Sequence, residues 1–563
     1  MTAAFFYIDC IRHNMKRTII FILPLLVLFS CKKSKAPAPA AEVFNVNVYS
    51  INNNSAAIQY NTGYTPVIKI LFTAPVKRSL VPNNILLRLN GNTTIPVNIT
   101  YQNNDSMVVL QPVAALTPIS KYTISVLTDL QSVRSTLLQN TFSVSFITQI
   151  DSTDKFPLLT DNQLLDTVQR RTFRYFWEFG HPVSGMARER NTSGDLVTTG
   201  GTGFGIMAMI AAVNRNFITR TEARDRILLI TNFLTNNCTR YHGAFAHWIN
   251  GSNGATIPFS PNDNGADLVE TSFLMEGLIT ARQFFNGADP TETTLRNKIN
   301  VLWNGVEWNW FRQNNQNVLY WHWSPDKAWI INAQVRGWNE ALITYVLASS
   351  SLTDSIPKPV YDIGWAATGS MRNNNTYYGY QLPLGPDKGG PLFFEHYSFL
   401  GINPTGLSDA YANYQMQTVN HTKINYEYCK ANPRGWNGYS SLCWGLTASD
   451  IPTGYNANHP NNDPGVISPT AALSSMPYTP TESMNALKFF YYKLGDKIWG
   501  QYGFTDAFKL SDPWFASSYL AIDQGPIIVM IENYRSGLLW NLFTSAPEIK
   551  NGLRRLGFTA PYL

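Results

Sequence analysis

Asp263, Asp267 and Glu270 stand at i, i+4 and i+7 inside HWINGSNGATIPFSPNDNGADLVETSFLMEGLITARQFF, residues 247–285. A helix beginning near Asn264 would stack the three carboxylates along one face. Only 14% of the chain is Asp, Glu, Lys or Arg, against about 25% in ordinary globular proteins, so a local concentration of acids requires a local cause. One cause is general acid–base chemistry, which needs carboxylates held in a polar pocket. The other is helix capping, with Asp263 as N-cap and Asp267 in the first turn, where the helix dipole favours ionised carboxylates by about 0.3–1 kcal/mol. From spacing alone both fit Asp263. Glu270, flanked by Leu268, Val269 and Phe273, points inward only if it has a partner or a task.

Chemistry with two carboxylates needs a second group on another element. Glu340 follows Gly337, Trp338 and Asn339 at an expected helix start, and Asp523 lies in AIDQGP ahead of an almost wholly apolar run. Helix stabilisation explains each equally simply. The chain also carries 15 Trp, 28 Tyr and 31 Phe, more aromatic surface than a core requires. Trp248, Phe259, Trp321, Trp323, Trp338 and Trp444 offer rigid apolar faces suited to stacking on sugar rings, and the tryptophans add a hydrogen-bond donor. His247, His396, Arg188, Gln524 and Glu395 can bond hydroxyl groups, although core positions with satisfied polar atoms account for any one of them as well.

The elements that position these residues divide into two kinds. Between residues 43 and 150, short runs of period two alternate with turns rich in Asn, Gly, Pro and Asp: 44–48, 67–72, 85–89, 106–112, 122–127 and 142–148. That pattern predicts an antiparallel β-sandwich. From residue 155 to 563 a period of 3.6 takes over, with helices expected at 161–179, 203–215, 221–237, 266–285, 291–306, 339–351, 407–430, 481–494 and 524–543. Amphipathic and almost entirely apolar helices alternate, as they must if an inner ring is wrapped by an outer one. The fold expected is mainly α, an (α/α)-type toroid with an all-β domain ahead of it, and its long loops are the natural carriers of function.

Bulk properties narrow the possibilities. The net charge of +6 is partly an end effect of Arg12, Lys16, Arg17, Lys32, Lys33 and Lys35, and no basic stripe suggests nucleic acid. Met15 to Cys31, with a charged start, an apolar run and Leu28-Phe29-Ser30-Cys31, resembles a bacterial lipoprotein signal in which Cys31 carries the lipid. The apolar run is short for a membrane span of about 20 residues, and residues 32–42 read as a Pro-rich tether. An extracytoplasmic, membrane-anchored protein in the periplasm or on the outer membrane is therefore expected, with residues 1–14 lying upstream of the natural-looking start at Met15. Cys238, Cys429 and Cys443 lack metal or disulfide spacing. No metal or cofactor is expected, and a monomer is.

Five segments resemble the glucoamylase-like proteins of glycoside hydrolase family 144: 172–190, 198–208, 247–285, 337–351 and 521–540. The phrase from Ser106 to Thr148 is similar to the bacterial Ig-like domains that precede many secreted enzymes, most simply a spacer. The family resemblance implies an (α/α)6 barrel acting on β-1,2-glucan, in endo-acting or sophorose-releasing exo-acting form, with inversion of configuration. It implies Glu340 as general acid, one carboxylate of Asp263, Asp267 and Glu270 to position or deprotonate water, and Asp523 in reserve. Inverting hydrolysis requires such an acid and base on opposite faces of the sugar. The alternatives are another carbohydrate-active enzyme on a β-glucan, a phosphorylase or transglycosylase, and a non-catalytic glycan-capture lipoprotein.

Overall fold

The computed structural model describes residues 41–563. The signal segment with Cys31, and all but the last two residues of the tether, lie outside the described residues. Among the described residues no helix is long and apolar enough to cross a membrane.

Nine strands build the first domain: β1 (Val46–Ile51), β2 (Ile58–Thr62), β3 (Ile68–Phe72), β4 (Ile85–Leu89), β5 (Thr93–Thr94), β6 (Val97–Gln102), β7 (Met107–Pro112), β8 (Lys121–Val126) and β9 (Phe142–Thr148), with a single helical turn, α1 (Val81–Asn84), before β4. They form two sheets, β1-β3-β7-β6 and β2-β9-β8-β4-β5. Alternating side chains such as Ile68, Ile70, Phe72, Val108, Leu110, Tyr122, Ile124 and Phe146 fill the space between them. The antiparallel expectation fails at one edge, where β2 and β9 run parallel. No hairpin joins these two strands, so no turn dictates their relative direction. Ile119, just before β8, is buried in one cluster with Leu164 and Leu165 of the next domain, so the sandwich seats directly on the helical body.

Twelve further helices follow: α2 (Asp161–Trp177), α3 (Thr199–Asn214), α4 (Arg220–Asn236), α5 (Leu268–Phe284), α6 (Pro290–Asn304), α7 (Leu342–Ser350), α8 (Tyr414–Ala431), α9 (Pro469–Leu473), α10 (Pro480–Ile498), α11 (Ala521–Ser536), α12 (Leu538–Ser545) and α13 (Pro547–Leu556). α3, α5, α7, α9 and α11 are buried nearly all round and form the inner ring, while α2, α4, α6, α8 and α10 each bury one face. The fourth pair is irregular. Its outer member is a π-helical turn at Val360–Trp365, and its inner member is two 3-10 turns, Leu392–Glu395 and Tyr397–Phe399. Tyr397 still packs between Phe204 of α3 and Phe273 of α5, closing the ring. The result is an (α/α)6 toroid.

Local chemistry explains most helix boundaries. Thr160 with Gln163 and Thr219 with Glu222 form complete capping boxes at α2 and α4. Where expectation and structure differ, a local interaction or backbone conformation is the reason. The helix expected at 266–285 starts at Leu268 because Ala266–Asp267 is extended and pairs with His322–Trp323. The one expected at 524–543 is two helices, α11 and α12, separated by Gly537 at φ +68°. Likewise 407–413 is loop, held by Asp409 accepting the N–H groups of Tyr411 and Ala412.

Candidate active site

The ring's loops enclose a cleft of about 460 Å³ lined by Glu270, Glu340, His247, Trp248, Phe259 and Trp321, together with Glu189, Arg190, Phe393, Tyr397 and Tyr455 among others. Glu270 is carried by the first turn of α5. Asp267 is the N-cap of that helix: its Oδ1 accepts the Glu270 N–H at 2.9 Å, and its Oδ2 accepts from His247 Nδ1 at 2.9 Å. The weighing of cap against site therefore ends with Asp267 doing both, a cap worth roughly 0.5–2 kcal/mol that also orients a cleft histidine. Asp263 is not on the helix. It closes a turn with Ser260 and sits 3.5 Å from His322 Nε2, so a loop rather than helical spacing brings it to the other two acids.

Glu270 reaches across to α3. Its Oε2 accepts the Gly200 N–H at 2.7 Å and the Thr198 hydroxyl at 3.3 Å. A Cβ on Gly200 would lie 2.6 Å from that oxygen, which is why the first turn of α3 carries glycine there. Further along, Gly203 and Gly277 let the α3 and α5 backbones touch: a Cβ on Gly277 would meet the Gly203 carbonyl oxygen at 2.2 Å. The sequence TTGGTGFG thus encodes a close helix pair whose N-terminal ends meet at the cleft.

Glu340 arrives from the neighbouring inner element, in the turn before α7 and not in its first helical turn as expected. Gly337 at φ +80° starts the turn. Asn339 Oδ1 accepts the Ala341 N–H at 2.9 Å, Trp338 Nε1 donates to Glu395 Oε1 at 3.0 Å, and the Ser398 hydroxyl bonds the Glu340 carbonyl. Its side chain is held by none of these backbone contacts and faces the cleft.

The electrostatics follow from burial and crowding of like charges. Burial, then the charges of Glu270 and Asp267, push the Glu340 carboxyl up to about 7. Burial raises Glu270 too, opposed by His247 and the Gly200 N–H. Asp263 rises to about 6, through burial first and Asp267 second. Burial would lower His247, but Glu270, Asp267 and Asp263 outweigh it and lift the imidazole to about 9. At neutral pH the cleft thus holds an imidazolium and a partly protonated Glu340. Phe259, 48% exposed, packs at a tilt against His247 and Trp248 with ring centroids 4.4 and 4.7 Å away.

Other expected site residues lie outside this cleft. Trp338 is buried on Glu395, which also accepts from Gln417 and His421. His396 is buried against Ser475, its imidazole pushed down to about 3 by burial and by the neighbouring His421. Trp444 is core, with Nε1 on the Glu482 carbonyl, and Gln524 donates to the Phe504 carbonyl. Arg188 lies over the Phe179 ring and bonds the Phe179 and Gly194 carbonyls. Trp323 packs on His242 and Trp310. Asp523 is buried beside Asp506, which raises its carboxyl further after burial has done so. Most of these take up packing or hydrogen-bonding roles away from the cleft, the competing role that residue type alone allows, although Asp523 Oδ2, Gln524 Oε1 and Glu395 Oε2 find no partner among the described residues. Glu189, Arg190, Phe393, Tyr397 and Tyr455 also line the cleft, and no motif in the sequence singles them out. Arg190 and Glu189 sit in the same ARER phrase as Arg188; period-two alternation would set Glu189 apart from both arginines, so nothing in the phrase singles out the pair that lines the cleft. Among the described residues no group of three or more His, Cys, Asp and Glu side chains is arranged to hold a metal ion.

Comparison with known proteins agrees with this architecture. The Glycoamylase family model, described as "Putative glucoamylase", matches residues 332–547, and a bacterial Ig-like domain model matches 40–148. The crystal structure of the endo-β-1,2-glucanase from Chitinophaga pinensis, in complex with sophorotriose and glucose, is 48% identical with a TM-score of 0.71, covering 72% of this chain and all of that one. A β-1,2-glucanase structure from Parabacteroides distasonis is 39% identical with a TM-score of 0.69, covering 92% of this chain and 74% of that one. A curated relative from the same species, an exo β-1,2-glucooligosaccharide sophorohydrolase acting at the non-reducing end, is 47% identical over 431 residues, 72% of this chain. The chain spans 59% of that relative's length. The chain belongs to the glucoamylase-like family, of the glycoside hydrolase family 144 type, and carries an Ig-like domain ahead of its toroid.

Proposed function

We propose that the protein hydrolyses β-1,2-glucosidic bonds of β-1,2-glucan or sophoro-oligosaccharides with inversion of configuration. The observation that carries this reading is the pairing of Glu340 with Glu270 across one aromatic-lined cleft, the first raised to about 7 and the second held by a backbone N–H. Glu340 is the general acid: still substantially protonated at neutral pH, it delivers its proton to the glycosidic oxygen as the bond breaks. Glu270 takes the proton of the attacking water. Its two protein hydrogen bonds among the described residues fall on Oε2, leaving Oε1 for that water. Asp267 positions both Glu270 and His247, and the His247 imidazolium donates to substrate hydroxyls while offsetting the charge of Glu270. Trp248, Phe259 and Trp321 supply apolar faces for the glucosyl rings. The names of the relatives support the substrate.

Incubation of purified protein with linear β-1,2-glucan tests this. Release of sophorose or sophoro-oligosaccharides is expected from the wild type and its near-complete loss in Glu340→Gln. An intact polymer with the wild type refutes the substrate, and full activity of the variant refutes the acid. Phosphate-dependent formation of a sugar phosphate would identify a phosphorylase instead. We further infer a monomeric lipoprotein held outside the cytoplasm through Cys31, supported by the apolar run and lipobox-like LFSC. Labelled palmitate incorporated by the wild type and lost in Cys31→Ser is the expected result.

A further inference from the structure

The cleft continues beyond its far wall. Arg190 and Tyr455 line it, and the same two residues line a second pocket of about 560 Å³ on their other side, well inside the roughly 300–1,000 Å³ of ligand sites. Between the two stands the hairpin of Ala448–Ile451 and Gly454–Ala457, in which Asp450 pairs with Tyr455. This wall is firmly built. Asp506 accepts the Asp450 N–H at 2.6 Å, the Ser518 hydroxyl donates to Asp450 Oδ2 at 2.5 Å, and Arg190 Nη1 lies 3.3 Å from Asp450 Oδ1. At the hairpin root, Asn458 Nδ2 donates to Ser449 Oγ at 3.0 Å.

The second pocket has the chemistry of a sugar site. Its floor includes Trp514, half-buried on the short strand Trp514–Phe515. Phe515, next on the same short strand, also lines the pocket and packs against Phe508. Asp450 and Thr192 stand at the rim with oxygens for hydroxyl groups. Tyr455, 48% exposed at the crest of the hairpin, presents a surface over which a chain can pass from one pocket to the next.

We propose that this second pocket is a distal glycan subsite, binding glucosyl units of a β-1,2-linked chain that continues past Tyr455 from the cleft, with Trp514 as its stacking face. The inference rests on the hydrolase reading above and adds chain-length preference to it. The test compares kcat/KM on polymeric β-1,2-glucan with kcat/KM on the shortest sophoro-oligosaccharide the wild type cleaves. Trp514→Ala is expected to lower the long-to-short ratio about tenfold, the effect of one contact worth ~1.4 kcal/mol. Ser517→Trp, which fills the pocket from an exposed position on its lining, is expected to do the same and decides the matter if Trp514→Ala folds poorly. An unchanged ratio in well-folded variants overturns the subsite while leaving the hydrolase reading intact. If the wild type leaves the polymer uncut, the hydrolase reading fails. Calorimetric titration of the polymer onto Glu340→Gln protein, with and without Trp514→Ala, then tests the pocket separately: equal affinity overturns it, and weakened affinity supports it.

Discussion

Two pairs of buried carboxyls lie on adjacent walls of the toroid, and only one opens to solvent. In the cleft, Glu270 and Glu340 come from different walls and face a common space. Beneath the 448–457 hairpin, Asp506 and Asp523 are each 2% exposed and face one another, and apart from that contact Asp506 Oδ1 and Asp523 Oδ2 have no partner among the described residues. Burial raises the protonation pH in both places. A perturbed carboxyl is therefore not by itself a mark of catalysis. The sealed pair clamps the hairpin, Asp506 accepting the Asp450 N–H, whereas the open pair faces the cleft.

Breaking the open pair should have the largest effect. Glu340→Gln removes the acid and is expected to lower kcat on β-1,2-glucan by 10²–10⁴-fold, the usual contribution of a positioned acid, roughly. The pH profile sharpens the same point. The wild type requires Glu340 protonated and Glu270 ionised, so kcat/KM should fall as pH rises through about 7 and also fall toward acid as Glu270, raised above the ordinary carboxylate range, takes up a proton. With an activated substrate that needs no acid, the alkaline limb should vanish in Glu340→Gln.

Gly200→Ala comes next. Its methyl would have to displace the Glu270 carboxylate, so a loss of roughly 10–100-fold in kcat is expected, in line with the cost of misplacing a catalytic group by about 1 Å. Asp506→Asn should affect activity least, within about threefold, and shows up instead in stability. Folding raises this carboxyl to about 7 from an ordinary 3.8, so the native state binds more protons than the unfolded one. The stability it contributes is fully present below the unfolded value and is lost as pH rises through about 7. A Tm that declines from mildly acid to neutral pH in the wild type should decline less in Asp506→Asn. A large activity loss in that variant, with Tm unchanged, would move catalysis to the sealed pair.

Much of the fold was legible from periodicity. The runs at 85–89 and 142–148 coincide with β4 and β9, and most helices lie within a few residues of their expected spans, because each has to bury one face or one stripe. The fourth helical pair was not legible: FFEHYSF and VYDIGW carry no sustained 3.6 period, and their buried turns are held by neighbours such as Phe204 and Phe273. In the site, the tryptophans divided by context. Trp248 and Trp321 line the cleft while Trp338 and Trp444 are core, a distinction that side-chain type does not contain.

Sequence alone determined that the chain is a β-sandwich followed by a ring of alternating apolar and amphipathic helices, and that acids concentrate at the start of α5. Those are local properties, set by which residues can be buried and which can cap. Tertiary structure decided that Asp263 enters by a turn, that Asp267 serves as cap and clamp at once, that Glu340 faces Glu270, and that Asp523 is sealed away with Asp506. Whether a carboxyl opens to a cleft or to another carboxyl depends on groups tens to hundreds of residues distant, and only packing brings those into contact.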